Sequence, residues 1–247
     1  MRQTFVDYSG APVDRTRWRT LAVFAHTFSA STRIVARSTL GRLGAEHVDA
    51  VIERWCDHVF RLSKTTLTAE GLDRFPHGQP YLLLSNHSSL LDIPAVCTTF
   101  PGRVRFVAKA ELRRVPMFGK AMSRSGIIFV DRSDRSQAIE ALHSASDLAR
   151  SGTSLWIAAE GGRSRDGSLG PLKKGPFHTA LQLGVPILPV WISGTAEVIE
   201  AGSLYSITGQ QVHVRYGEPI PTDGLDVADI PALLTRSRAA LEQLAQS

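Results

Sequence analysis

Tyr81-Leu82-Leu83-Leu84-Ser85-Asn86-His87-Ser88-Ser89-Leu90-Leu91-Asp92 is the stretch on which the reading of this chain turns. It opens on a short, wholly apolar run of the kind that makes a buried strand. Ser85 and Asn86 are turn residues, which predicts a strand that ends just before His87 and hands over to a helix. His87 and Asp92 have four residues between them, close enough for the carboxylate to fold back toward the imidazole. A carboxylate held against one ring nitrogen fixes the tautomer and stabilises the imidazolium, leaving the other nitrogen as a general base. The same spacing also arises between unrelated surface polar residues, so the pair needs support from the rest of the chain.

Outward from this stretch, apolar and partly β-branched runs recur at 104–107, 126–130, 154–158 and 187–191. Helical stretches lie between them. The clearest is Arg135 to Arg150, with Ala138, Ile139, Leu142, Ala145, Leu148 and Ala149 on one face. Strands alternating with helices predict an α/β fold with a central, largely parallel sheet flanked by helices. A late strand, Gln211 to Tyr216, precedes a turn and a closing helix from about Val227 to Leu244. No internal repeat or low-complexity tract interrupts the chain.

Composition sets the bounds. The 247 residues are 43% hydrophobic, enough for one large α/β domain with a proper core. The formal net charge of +5 suits a partner bearing phosphates or an anionic surface. Only Cys56 and Cys97 are present, so no disulfide framework is implied and a reducing compartment is expected. No apolar run approaches the ~20 residues that cross a bilayer. The best candidate, Leu21 to Phe28, is short and contains His26 and Thr27, so neither a transmembrane span nor a cleaved signal is expected.

The N-terminal part, residues 1–64, differs from the remainder, 65–247. Arg15 to Ala45 carries six arginines and no acidic residue, interleaved with Trp18, Leu21, Val23, Phe24, Phe28, Ile34, Val35 and Leu40. A basic, amphipathic helical segment of this kind either lies in a membrane interface or packs as an ordinary surface helix. Val48, Val51, Ile52, Trp55, Cys56, Val59 and Phe60 then fall at helical spacing, a core stripe in which Cys56 is a small apolar group.

Three further clusters follow strands or build them. Gly126 to Arg132 ends a strand, which would place Arg132 at the carboxyl edge of the sheet, where α/β folds bind ligands. In Ala159-Glu160-Gly161-Gly162-Arg163-Ser164, two glycines permit close backbone approach and Arg163 offers a planar fork suited to a phosphate. Val185-Pro186-Ile187-Leu188-Pro189-Val190 is stiff and apolar, a wall rather than a reactive segment.

Taken in order, these segments resemble the glycerolipid acyltransferase family, which acylates lysophosphatidic acid, glycerol phosphate and related lysolipids. The family's first block, a histidine and an aspartate with four residues between them, is matched by His87 and Asp92. Gly126 to Arg132 is similar to its second block, and Val185 to Val190 to its fourth. Its third, usually Phe-Pro-Glu-Gly-Thr-Arg-Ser, is similar to Ala158-Ala159-Glu160-Gly161-Gly162-Arg163-Ser164. Linking residues agree too: Ala108 to Leu112, Pro116, Phe118, Gly119, and Leu172 to Gly175.

The resemblance covers about residues 80–195 and implies direct acyl transfer to a lysophospholipid hydroxyl, above all lysophosphatidic acid to phosphatidic acid. Glycerol phosphate or a lyso-aminolipid are the other acceptors in view. The donor is acyl-CoA or acyl-carrier protein. His87 is the implied base and Asp92 its orienter; Arg132, Glu160, Gly161 and Arg163 are the implied acceptor-binding residues. No cofactor or metal is implied. The N-terminal helical element is expected to hold the protein peripherally on the cytoplasmic face of a membrane.

Ala158, Ala159 and Gly162 depart from the family's Phe, Pro and Thr, which predicts a less rigid loop without a hydroxyl near the acceptor. Three other readings compete. A Ser-His-Asp hydrolase would use Ser85, Ser88 or Ser164, although no Gly-x-Ser-x-Gly elbow occurs. Cys97 would serve a thiol mechanism. A non-catalytic lipid-binding module would keep the fold alone. The basic residues form no nucleic-acid reader motif.

Overall fold

Leu82, Leu83 and Leu84 are all fully buried, and a strand with no exposed face needs cover on both sides of its sheet. The computed structural model describes residues 1–130, 135–164, 168–199 and 206–247. In chain order it runs β1 (Gln3–Val6), β2 (Arg15–Thr16), α1 (Arg17–Thr39), α2 (Ala45–Ser63), β3 (Thr66–Glu70), β4 (Leu82–Ser85) and α3 (Asp92–Thr99). β5 (Val104–Lys109), α4 (Phe118–Arg124), β6 (Ile128–Val130), α5 (Arg135–Arg150), β7 (Ser154–Ala158) and α6 (Gly175–Leu183) come next. The rest is β8 (Ile187–Ser193), the single turn α7 (Thr195–Val198), β9 (Ser206–Ile207), β10 (Gln211–Tyr216) and α8 (Ile230–Gln246).

Eight of the strands form one sheet in the order β1-β3-β10-β8-β4-β7-β5-β6. β4 sits near its centre with parallel neighbours on both sides, β7 and β8. The β1–β3 and β10–β8 pairs are antiparallel; the remaining neighbours run parallel. The expected α/β architecture is therefore observed.

Alternation along β4 builds two cores. Leu83 joins Val59, Phe60, Ala95, Val96 and Trp156 on the face covered by α2 and α3. Leu82 and Leu84 join Phe177, Ala180, Ile230, Leu233 and Leu241 on the face covered by α6 and α8. The closing helix begins three residues later than its apolar spacing suggests. Residues Val227–Asp229 form a 3-10 turn, with the Ala228 amide donating to Asp226 Oδ1 at 2.7 Å and the Asp226 amide to Asp229 Oδ2 at 2.9 Å. Pro231, which has no N–H to donate, then opens the α-helix.

α1 and α2 form a hairpin that packs on α3 and α4. Asp49 of α2 fastens it to β5 by ion pairs to Arg105, at 2.5 Å, and Arg103, at 2.9 Å. Arg105 is almost fully buried and also donates to the Ser125 carbonyl. On α1, Trp18, Leu21, Phe24 and Phe28 are each more than half exposed. Among the described residues, no helix is long and apolar enough to cross a membrane.

Candidate active site

The carboxyl end of β4 is locked before the reactive residues begin. Asn86 donates from Nδ2 to the Ile192 carbonyl at 2.7 Å and accepts from the Ile192 amide at 2.8 Å. This two-way clamp stands in for a pair of ladder bonds where β4 leaves the sheet beside β8. The chain then turns, and α3 starts at Asp92, whose side chain is fully buried.

Burying a carboxylate is tolerable only when it is paired and hydrogen-bonded, and Asp92 meets that condition. Its Oδ2 accepts from His87 Nδ1 at 2.7 Å, the Ser88 amide at 2.7 Å and the Ser89 amide at 3.0 Å. Its Oδ1 accepts from Thr195 Oγ1 at 2.5 Å. Because Asp92 accepts, Nδ1 of His87 carries the proton and Nε2 presents its lone pair. Nε2 has no protein partner among the described residues, and the ring retains 14% exposure. Trp156 meets the imidazole edge-on at 5.4 Å, with its own indole N–H held by Ser85 Oγ at 2.9 Å. The result is a basic nitrogen on a ring that cannot easily rotate.

The loop after β7 lies beside it. The Ala159 amide donates to the Ser85 carbonyl at 2.8 Å, and the Ser164 amide to the His87 carbonyl at 2.7 Å. Gly161 has φ of 73°, the left-handed conformation that favours glycine, and its amide closes a turn on the Ala158 carbonyl. Arg163 is exposed and makes no hydrogen bond or ion pair with the described residues. Glu160 turns the other way. Its Oε2 accepts from the Gly170 amide at 3.0 Å, while Oε1 is buried without a partner among the described residues. Arg238 of α8 holds the Leu169 and Gly170 carbonyls of the same segment. Arg132 lies outside the described residues.

A family model described as Acyltransferase matches residues 66–193, about half of the chain. The chain belongs to this acyltransferase family. It is 35% identical over 185 residues to human 1-acyl-sn-glycerol-3-phosphate acyltransferase alpha, covering 74% of this chain and 65% of that protein. It is 34% identical over 169 residues to the human beta enzyme, covering 68% of this chain and 60% of the other. It therefore spans less than two thirds of either human relative. The crystal structure of the 1-acyl-sn-glycerophosphate (LPA) acyltransferase PlsC from Thermotoga maritima superposes with a TM-score of 0.71 at 26% identity. That match covers 94% of this chain and 97% of the other.

In this member of the acyltransferase family the departures in the third block have a structural account. The position that is usually proline holds Ala159, whose N–H is spent on Ser85 and extends the β4–β7 ladder. Where stiffness from a ring was expected to be lost, a hydrogen bond is gained instead. Ala159→Pro is therefore expected to lower stability by about 1 kcal/mol, the lost bond outweighing the entropy gained. Thermal unfolding reads this, and an unchanged or raised midpoint would refute it. At Gly162 an added Cβ meets nothing within 4 Å among the described residues, which leave open space where the threonine side chain would stand.

The cluster around His87 also includes residues that spacing did not reveal. Thr195, Ile192 and Trp156 reach His87 and its supports only through the sheet. Ser85 and Ser88, considered above as nucleophiles, have other partners. Ser85 Oγ bonds the Asn86 carbonyl and the Trp156 indole, and Ser88 Oγ lies 3.1 Å from Thr195 Oγ1. Cys97 leans on Cys56, whose thiol is pushed up mainly by burial. Among the described residues, no three His, Cys, Asp or Glu side chains gather as a metal site.

Proposed function

We propose that this protein transfers a fatty acyl chain from a thioester, acyl-CoA or acyl-carrier protein, to the free hydroxyl of lysophosphatidic acid, giving phosphatidic acid. The observation that carries the reading is His87: Nδ1 is fixed on a buried carboxylate and Nε2 is left open at the carboxyl edge of the sheet. The human and Thermotoga relatives, named for 1-acyl-glycerol-3-phosphate substrates, support that acceptor. In the proposed step, Nε2 removes the acceptor hydroxyl proton as the oxygen attacks the thioester carbonyl. The thiolate then leaves and takes up a proton, so no acyl-enzyme forms. Asp92 stabilises the imidazolium that appears midway. Arg163, Gly161 and Arg132 are assigned to the acceptor phosphate, and Glu160 to shaping the loop that carries Gly161 and Arg163.

The test is thiol release from long-chain acyl-CoA or acyl-carrier protein with and without lysophosphatidic acid. Release that depends on the acceptor is the expected result. Release without acceptor would make the protein a thioesterase. Silence with lysophosphatidic acid, glycerol phosphate and lyso-aminolipids alike would leave a lipid-binding module of the same fold.

The acceptor and the acyl chain both reside in a membrane, and the exposed Trp18, Leu21, Phe24 and Phe28 on α1 support peripheral attachment through the α1–α2 hairpin. Replacing these four residues by serine is expected to weaken co-sedimentation with vesicles by at least about ten-fold. Undiminished binding by the folded variant would remove the hairpin from this role.

A further inference from the structure

Residues 109–124, from the end of β5 through α4, carry five cations and a single acid, Glu111. A 3-10 helix (Ala110–Arg114) follows β5 directly and presents Arg113 and Arg114. α4 presents Lys120 and Arg124, four residues apart and so on one face. All four are exposed, and none has an ion-pair partner among the described residues. The guanidinium of Arg113 lies over the Phe129 ring, 5.0 Å from its centroid. Leu112 and Val115 are exposed beside these cations. Three residues apart on a 3-10 turn, they fall on one side.

The 3-10 helix and α4 form one platform. Met117 between them takes φ of 61°, rare for a residue with a side chain, and the Phe118 amide closes the tight turn on the Pro116 carbonyl at 2.6 Å. The Gly119 amide then donates to the Val115 carbonyl at 2.8 Å. A Cβ at Gly119 would stand 2.1 Å from the Arg113 carbonyl oxygen, so glycine is what lets α4 press this closely on the 3-10 helix. β4, β7 and β5 are adjacent and parallel. The platform therefore leaves the sheet at the same edge as His87, two strand spacings or about 10 Å away. α4 meets α1 through Ala121, which packs with Ala30 and Ile34. Trp18, Leu21, Phe24 and Phe28 leave α1 on a different, exposed side.

We propose that this platform is the docking surface for an acidic acyl-carrier protein, whose carboxylates meet Arg113, Arg114, Lys120 and Arg124 and whose apolar residues cover Leu112 and Val115. The proposal rests on the acyl-transfer reading above and adds which donor is used and where it sits. Unpaired cations spread over two elements, with an apolar patch beside them, match a protein face of opposite charge. The compact phosphates of a nucleotide thioester call instead for donors that converge on one point. Charge of one sign along the platform also steers an acidic partner toward it before contact. A carrier docked here lays its thioester-bearing arm across the carboxyl ends of β5 and β7, the direction in which His87 lies.

Two readouts separate docking from transfer. Binding of the full chain to a palmitoylated type II carrier protein is measured without lipid, and turnover with that donor or with palmitoyl-CoA on lysophosphatidic acid. Arg114→Glu/Lys120→Glu, at exposed positions, is expected to weaken carrier binding about ten-fold and to raise KM for the carrier donor by a like factor. Its kcat with the carrier donor and its kcat/KM with palmitoyl-CoA should stay within about two-fold of wild type. Wild-type carrier binding should weaken steeply with salt. If charge reversal unfolds the chain, Arg114→Gln/Lys120→Gln should show the same selective loss at about three-fold. Equal losses with both donors, an unchanged carrier KM, or a wild type that uses palmitoyl-CoA and ignores the carrier would overturn the proposal and leave acyl transfer intact. Patch-dependent carrier binding without transfer from either donor would uphold the docking surface and remove the acyl-transfer reading. Neither binding nor transfer would remove both.

Discussion

Acceptor-dependent thiol release is expected to fall by about 10²–10⁴-fold in His87→Ala, the contribution typical of a positioned general base. Asp92→Asn should fall by a comparable factor while the protein stays folded. The amide can be accommodated by placing its oxygen where Oδ2 stands, toward His87 and the Ser88 and Ser89 amides. Its NH₂ group then faces Thr195 Oγ1, which can accept and pass its own proton toward Ser88 Oγ. Geometry survives, and only the charge that stabilises an imidazolium is gone. Because the two residues act as a unit, the double variant should be little slower than the slower single one. A His87→Ala protein retaining more than about a tenth of wild-type activity would sink the general-base assignment.

Thr195→Val is the second large effect. Valine keeps the shape and removes the only hydroxyl on Asp92 Oδ1, leaving a buried carboxylate oxygen unpartnered among the described residues. A penalty of about 1–3 kcal/mol in stability is expected, together with a kcat lower by about 10–100-fold. KM for either substrate should hold, since Thr195 is fully buried and acts through Asp92. Thr195→Ser should recover most of both losses. A purely structural role would lower stability and leave kcat untouched, so the split between the two readouts decides the matter.

These two predictions mark where sequence reading succeeds and where it stops. His87 and Asp92 interact within one turn of chain, so their relation is written in their spacing. Thr195 lies more than a hundred residues from Asp92, and nothing in its neighbourhood distinguishes it from any threonine after a strand. The same holds for the Asn86–Ile192 clamp, formed only because β4 and β8 are neighbours. Strands with unbroken apolar runs, such as β4, β7 and β8, were legible from composition. β1 and β3 were not. Gln3–Val6 is four residues long, and Thr66–Glu70 mixes threonine with a single leucine and a glutamate. The backbone of β3 is buried by its partners rather than by its own hydrophobicity. Glu160 was legible as part of a motif, but its contact with Gly170 depends on how the loop returns.

The strand order carries a consequence for how the molecule is made. β3 borders β10, and the two are separated by about 140 residues of chain. At roughly 5–20 residues per second, a ribosome takes on the order of ten seconds to bridge that gap. Through that interval β3 and β1 have no place in the sheet, because β10 is the wedge that joins them to β8. The helical hairpin, by contrast, precedes β3 and β10 and closes by local contacts. Its exposed Trp18, Leu21, Phe24 and Phe28 are therefore made before the sheet can close, and under the proposed peripheral attachment the order of synthesis puts docking first and sheet closure second.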